Sequence, residues 1–297
     1  MKKLIALLFI ISISLSLLSS CAKKEEFALS IGVAEAVDYE NGVIRQSVAA
    51  VVTDANGKIV LTRLDAVEYE VKLDGGEAVI YVPLAIRDEV KNNSFIQAAN
   101  ALEASVKGMT KAGAEAALAP DENEDDSYTQ DLSRAVLKAL ASNYPTKFSS
   151  VPDLSAGVSL FANAAIGTEK DKDDQTKEIP TLTLGVSFAA IAAEGGRVRG
   201  AVIDENELTV KLDGENGKIT AHSYVGTKLE QGEDYHMDDY NPYAIGEWYE
   251  QAAAYVKELN YKPVDRIDTL PEGTTAGCTI DTANYFAAVI KASRRVR

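Results

Sequence analysis

The pentapeptide Val-Lys-Leu-Asp-Gly occurs twice, at residues 71–75 and 210–214, and each copy closes a longer stretch that matches the other. Residues 47–75 read SVAAVVTDANGKIVLTRLDAVEYEVKLDG, and residues 187–214 read SFAAIAAEGGRVRGAVIDENELTVKLDG. With one gap, eleven positions are identical. The likeness extends outward in the same order. Residues 29–33 match 154–158, 95–99 match 249–253, and 135–139 match 288–292. Four ordered blocks divide the chain into two copies of one module, 29–142 and 154–297, with a linker at 143–153. Two copies are too few for a solenoid, and each is of a length that folds alone.

Each copy reads as α+β. Residues 48–53 are apolar and β-branched, Asp54-Ala55-Asn56-Gly57 is a turn, and 58–64 form a second apolar run, which is a strong hairpin signal. A third strand alternates over 68–73, and 78–82 continue the sheet. The second copy repeats this through strands at 198–203, 208–212 and 218–223. Phe95, Ala98, Ala99, Leu102 and Val106 then recur at helical spacing, as do Trp248, Ala252, Tyr255 and Leu259. Residues 131–141 and 282–294 read as closing helices, with basic residues in their last turns. The expected architecture is two tandem repeats, each an antiparallel sheet with helices packed on one face. The copies differ by a polar loop at 167–178 and an acidic loop at 121–126. Neither has EF-hand spacing, and both read as solvated loops.

The first twenty residues have a different character. Met1-Lys2-Lys3 is a basic start, and 4–18 are apolar apart from three serines, too short to span a bilayer that needs about 20 helical residues. Leu18-Ser19-Ser20-Cys21 follows. The combination resembles a bacterial lipobox, which implies a signal peptide at 1–20, a lipidated Cys21 as the mature N-terminus, and a short tether at 21–28. The mature protein is then expected at the cell envelope, extracytoplasmic and held to a membrane by acyl chains. A secretory signal with an incidental Cys21 is the alternative. With Cys21 acylated, Cys278 has no disulfide partner and is expected to be a buried, small apolar residue.

Composition narrows the function. The chain of 297 residues carries 30 Lys and Arg against 45 Asp and Glu, a net charge of −15 that becomes two units more negative when Lys2 and Lys3 are removed. Such a surface repels nucleic acid phosphates. Two cysteines exclude a Cys₄ zinc site. There is no Gly-x-Ser-x-Gly, and the two histidines, His222 and His236, have no nucleophile motif nearby. His222 falls in a predicted strand and reads as structural. Seven of the thirteen tyrosines and the only tryptophan lie between Tyr224 and Tyr261, faces suited to a planar ligand or an interface. Asp234, His236, Asp238 and Asp239 lie among them. With one histidine they are a weak metal signal and read as an exposed loop.

One stretch carries a family resemblance: Thr227-Lys228-Leu229-Glu230-Gln231-Gly232-Glu233-Asp234-Tyr235-His236-Met237, followed by Glu247-Trp248-Tyr249-Glu250-Gln251-Ala252. It resembles the FMN-binding-domain lipoproteins of bacterial envelopes. The specific motif lies within 227–252, and the first copy keeps only the Gln-Ala helix and the sheet pattern. In flavinylated members a Ser-Gly-Ala-Thr motif carries FMN through its phosphate on the threonine. The matching stretch here is Ala276-Gly277-Cys278-Thr279, with two of four positions changed, and the acidic residue expected ahead of it falls on Gly273, with Glu272 one place off. The resemblance implies FMN as the cofactor and Thr279 as its attachment point; read from residue chemistry alone, Trp248 and Tyr235 offer faces for its ring and Lys228 is a candidate donor for its phosphate. It also implies a flavin-transfer or redox partner protein. The alternative for Thr279, Asp281 and Thr282 is the start of the last helix. The broken motif places a noncatalytic, membrane-anchored binding protein first. An FMN-carrying electron-transfer lipoprotein and a cell-surface interaction protein that has lost flavin are the alternatives.

Overall fold

A computed structural model describes residues 24–74, 77–81, 93–119, 128–213, 217–269 and 278–296. The signal segment, Cys21, the acidic loop at 121–126, Ala276 and Gly277 lie outside the described residues. The first half runs β1 (Glu25–Asp38), β2 (Val43–Asp54), β3 (Ile59–Asp74), β4 (Glu77–Tyr81), α1 (Asn93–Ser105), α2 (Lys111–Ala117), α3 (Tyr128–Ala141) and β5 (Thr146–Ser150). The second runs β6 (Ser155–Lys170), β7 (Glu178–Glu194), β8 (Arg197–Leu212), β9 (Ile219–Tyr224), α4 (Lys228–Gln231), α5 (Met237–Tyr240), α6 (Trp248–Lys257) and α7 (Ala283–Arg294). Short 3₁₀ turns lie at Gly232–Tyr235 and Val264–Thr269. No helix among the described residues is long and apolar enough to cross a membrane.

The strands form two antiparallel sheets, in the orders β4-β3-β2-β1-β5 and β6-β7-β8-β9. Alternation assigns the faces of the first sheet. Ala34, Ala49, Val51, Leu64 and Ala66 pack with Phe95, Leu102, Leu132 and Val136 of the helices. Leu29, Ile31, Val33, Val48, Val52 and Tyr69 face the other way and share one core with Val158, Leu160, Leu184 and Val186 of the second sheet. The sheets therefore stack, with α7 against β6 and β7 on the far side. Helices do cover one face of each sheet. The other faces cover each other, so neither half has a complete core of its own.

Two glycines set how closely the last helix of each half approaches its sheet. A Cβ on Gly32 would strike the backbone of Ala135 and Ala139, and one on Gly157 would strike that of Ala292 and lie 2.9 Å from the Val296 nitrogen. Two register shifts occur at corresponding places, one at Val52/Thr53 between β2 and β3 and one at Ala192/Ala193 between β7 and β8, and a third falls at Lys211/Leu212 between β8 and β9. The Asn56-Gly57 turn forms as expected: Gly57 has φ 71°, and the Asp54 carboxylate accepts the N–H groups of Asn56 and Lys58.

Several boundaries differ from the sequence reading. The runs 58–64 and 68–73 are one strand, β3, and 198–203 and 208–212 are one strand, β8. The aspartates that fall between the expected runs, Asp65 and Asp204, are buried but have partners. Asp65 pairs with Arg295, and Asp204 accepts the N–H groups of Glu205 and Leu229. The expected linker contains β5, which pairs with β1 and stacks Phe148 on Phe27 at 5.8 Å. The loop expected at 167–178 shrinks to residues 171–177. Its flanks extend β6 and β7, held by Glu169–Lys211 and Lys170–Glu178 ion pairs.

Candidate functional site

The motif of 227–252 is absorbed largely by local structure. Thr227 and Glu230 form a capping box at the start of α4, and Glu247 and Glu250 form another at the start of α6. Glu230 also bonds Lys138 of α3 at 3.0 Å, tying the two halves together. Lys228 lies over the rings of Tyr235 and Trp248, 5.3 and 5.6 Å from their centroids, and its charge is paired with Glu205 at 3.0 Å. Trp248 is 1% exposed and packs on Tyr285. Tyr235 is half-buried.

Gln251, buried on α6, joins this helix to the degenerate flavin motif. Its Nε2 donates to the Gly246 carbonyl at 2.9 Å, which turns its Oε1 toward Thr279. That oxygen accepts the Thr279 N–H at 2.6 Å and the Thr279 hydroxyl at 2.8 Å. Thr279 is an exposed residue held at one place on the surface by a buried carboxamide. Cys278 is half-buried rather than fully buried, and burial raises its thiol above the usual range, away from thiolate chemistry. Thr282 takes the N-cap position of α7 without a side-chain bond, while the Asp281 carboxylate accepts the Ala283 N–H at 3.0 Å.

FMN needs an open face for its ring and a donor for its phosphate. Trp248 is covered by protein and offers no face to a flavin ring. Lys228 is paired and offers no free charge to a phosphate. Thr279 is an exposed residue, but its hydroxyl is turned onto the buried Gln251 carboxamide, so Trp248, Lys228 and Thr279 do not by themselves form a flavin cradle. The loop of Asp234, His236 and Asp239 is exposed, with His236 in the left-handed region at φ 51°. Among the described residues no group of three or more His, Cys, Asp and Glu is arranged to hold a metal ion. His222 is exposed on β9 and bonds the Tyr39 hydroxyl across the two halves at 2.5 Å.

A cavity lies beside the motif, and no sequence signal pointed to it. It measures about 510 Å³ and opens between the segment before β5, strand β8 and helix α6. Tyr144 and Tyr249 stack at one side, with centroids 4.4 Å apart. Val202, Leu229, Ala252 and Val256 make the walls apolar. Asn260 lines the cavity with a buried Oδ1 that has no hydrogen-bond partner among the described residues. Gly232 sits behind Tyr144: its φ is 54°, and a Cβ there would lie 2.5 Å from the Tyr144 hydroxyl oxygen. A cleft of this size with apolar walls lies in the range of small-molecule sites. The tyrosine cluster read from 224–261 contributes only Tyr249; Tyr144 comes from the expected linker. No protein-family model, curated protein or solved structure matches the chain.

Proposed function

We propose that this is a lipid-anchored, extracytoplasmic binding protein without catalytic chemistry, made of two flavin-domain-like modules. Its ligand sits in the Tyr144–Tyr249 cleft. The cleft carries the reading. Its volume lies within the roughly 300–1,000 Å³ of small-molecule sites, and its apolar walls carry a stacked tyrosine pair at one side. The favoured ligand is small, largely apolar and aromatic.

Several equivalences support the tandem repeat. Gly32 and Gly157 occupy the same place in the two alignments, as do the two register shifts and the buried pair Asp65 and Asp204. The envelope reading rests on the lipobox-like segment. A lipid on Cys21 would leave three residues before β1, a reach of roughly 14 Å at full extension, so the first sheet would stand close to the membrane. The second reading, FMN on Thr279 as an electron-transfer group loaded by a partner protein, rests on the exposed position of that residue beside the motif.

The test uses the neutral aromatic amine N-phenylnaphthylamine as the probe. Its fluorescence should rise on one saturable site and fall back in Tyr249→Ala and Tyr144→Ala. Absence of binding, or binding indifferent to both substitutions, overturns the cleft. Intact mass and visible absorbance of protein made in a flavinylating host separate the readings, since an added FMN phosphoryl mass lost in Thr279→Ala would establish the flavin carrier.

A further inference from the structure

Four strands form the sheet edges: β4, β5, β6 and β9. β4 and β5 have 5 residues each and β9 has 6, whereas β6 has 16. Natural proteins blunt long edges with charge, proline, bulges or a covering element. Residues 157–168 of β6 contain no charged residue and no proline, and β6 pairs with β7 without a register shift.

The direction of each backbone group along β6 follows from the ladder. Asp171 N–H donates to Lys177 O at the tip, continuing the Lys170–Glu178 pairing, so odd-numbered residues bond toward β7. Even-numbered residues turn both N–H and C=O to the open edge. The inner end of that edge is covered: Val158 O accepts from Arg295 at 3.3 Å and Leu160 O from Lys291 at 3.4 Å. Beyond them, Ala162, Ala164, Ile166 and Thr168 have no outward partner among the described residues. Residues 163–168 are exposed, Ile166 to 53%.

We propose that this edge pairs with the same edge of a second copy of the chain, antiparallel about a two-fold axis at Ala165. The two four-stranded sheets then become one of eight strands. An antiparallel pair of identical segments is self-complementary by symmetry. In the register that matches the four free residues among themselves, Ala164 opposes the partner's Ile166 and Ala162 the partner's Thr168. Asn163 faces the partner's Gly167, and no charged residue enters the bonded ladder. Because Ala164 pairs with Leu184 and Ile166 with Leu182 in the same chain, a continuous apolar row crosses the axis: Leu184, Ala164, and the partner's Ile166 and Leu182. Each chain carries a net charge of −15, so the copies repel at long range. An uncharged edge is the place where that repulsion is smallest, and added salt strengthens the dimer. This inference does not depend on the ligand cleft.

The test is cysteine cross-linking of the full-length chain in its membrane, in a Cys278→Ser background. Directly opposed, non-bonded residues have Cα atoms about 4.5 Å apart, within disulfide range. Under mild oxidation Ala165→Cys should give a covalent dimer about tenfold more readily than Phe161→Cys, which opposes a different residue. Copies with Asn163→Cys and Gly167→Cys should cross-link to each other when coexpressed. Adding Ile166→Lys should abolish both products, and this side chain is half exposed, so folding is retained. Equal cross-linking at 161 and 165, no cross-linking at 165, indifference to Ile166→Lys, or capture of a different envelope protein at 165 would each overturn the pairing.

Discussion

Arg295, at the end of α7, forms an ion pair with Asp65 in the middle of β3, and the Asp65 side chain has no solvent exposure. The guanidinium also reaches the Val158 carbonyl. One residue near the C-terminus thus joins the helix layer of the second half to the sheet of the first.

Removing one partner takes the ion pair away from a buried charge. Arg295→Ala is expected to cost about 3–5 kcal/mol, and replacing both partners with apolar residues should cost much less. Urea unfolding of the single and double variants measures the difference. Because the sheets share one core, unfolding should be a single transition in all of them. Two separate transitions in the parent chain would contradict the shared core.

Asp204 makes stability depend on pH. Burial raises its carboxyl from 3.8 to about 7, against the opposing bonds from Thr227, Leu229 and Glu205. The folded chain therefore holds a proton that the unfolded chain has released. The stabilisation is full at low pH, below the unfolded value, and is lost as pH rises through about 7. Each tenfold gain in proton affinity on folding corresponds to about 1.4 kcal/mol, so the group contributes on the order of a few kcal/mol. Asp204→Asn keeps an acceptor for the two backbone N–H groups and a donor for the Thr227 hydroxyl, and it cannot titrate. Its unfolding free energy should fall less than that of the parent between mildly acidic and mildly alkaline buffers. An unchanged slope would show that Asp204 does not titrate in this range.

The glycines that admit the closing helices are predicted to be intolerant. Gly32→Ala and Gly157→Ala place a methyl group against helix backbone, which cannot give way as a side chain does. Each should lose about 1–3 kcal/mol or more through overpacking. At Gly200 the obstruction is the ring of Phe148, 2.8 Å from an added Cβ, and a ring can rotate. Gly200→Ala should therefore cost less than the other two, as thermal unfolding will show. Equal losses at all three sites would remove the distinction between backbone and side-chain obstruction.

Strand positions and the two-sheet organisation were legible because apolar runs end at turn residues such as Asn56-Gly57. The stacking of the sheets was less visible, although it left a trace. Residues 48–52 are continuously apolar instead of alternating, which is what a strand buried on both faces requires. The long strands β3 and β8 were divided where an aspartate falls between apolar runs, and local sequence does not reveal the partner that lets it be buried. For Asp65 that partner is Arg295, 230 residues on. The cleft was invisible for the same reason. Tyr144, Val202 and Tyr249 come from a connecting segment, a strand and a helix, and no local spacing relates them.

Gly232 gives a way to disturb the cleft without touching its walls. Its φ of 54° disfavours any side chain, and an added Cβ would press on the Tyr144 hydroxyl. Strain of this kind costs roughly 1–2 kcal/mol. The easiest relief is to swing the Tyr144 ring off Tyr249, since Tyr144 lies outside regular structure and Tyr249 is fixed on α6. Gly232→Ala should therefore weaken N-phenylnaphthylamine binding severalfold and break the ring contact, visible as a change in near-ultraviolet circular dichroism. Tyr144→Ala opens room for the Cβ, so in a Tyr144→Ala background Gly232→Ala should have little further effect on binding. If the two losses add in full, Gly232 acts on the cleft by a route other than the tyrosine stack.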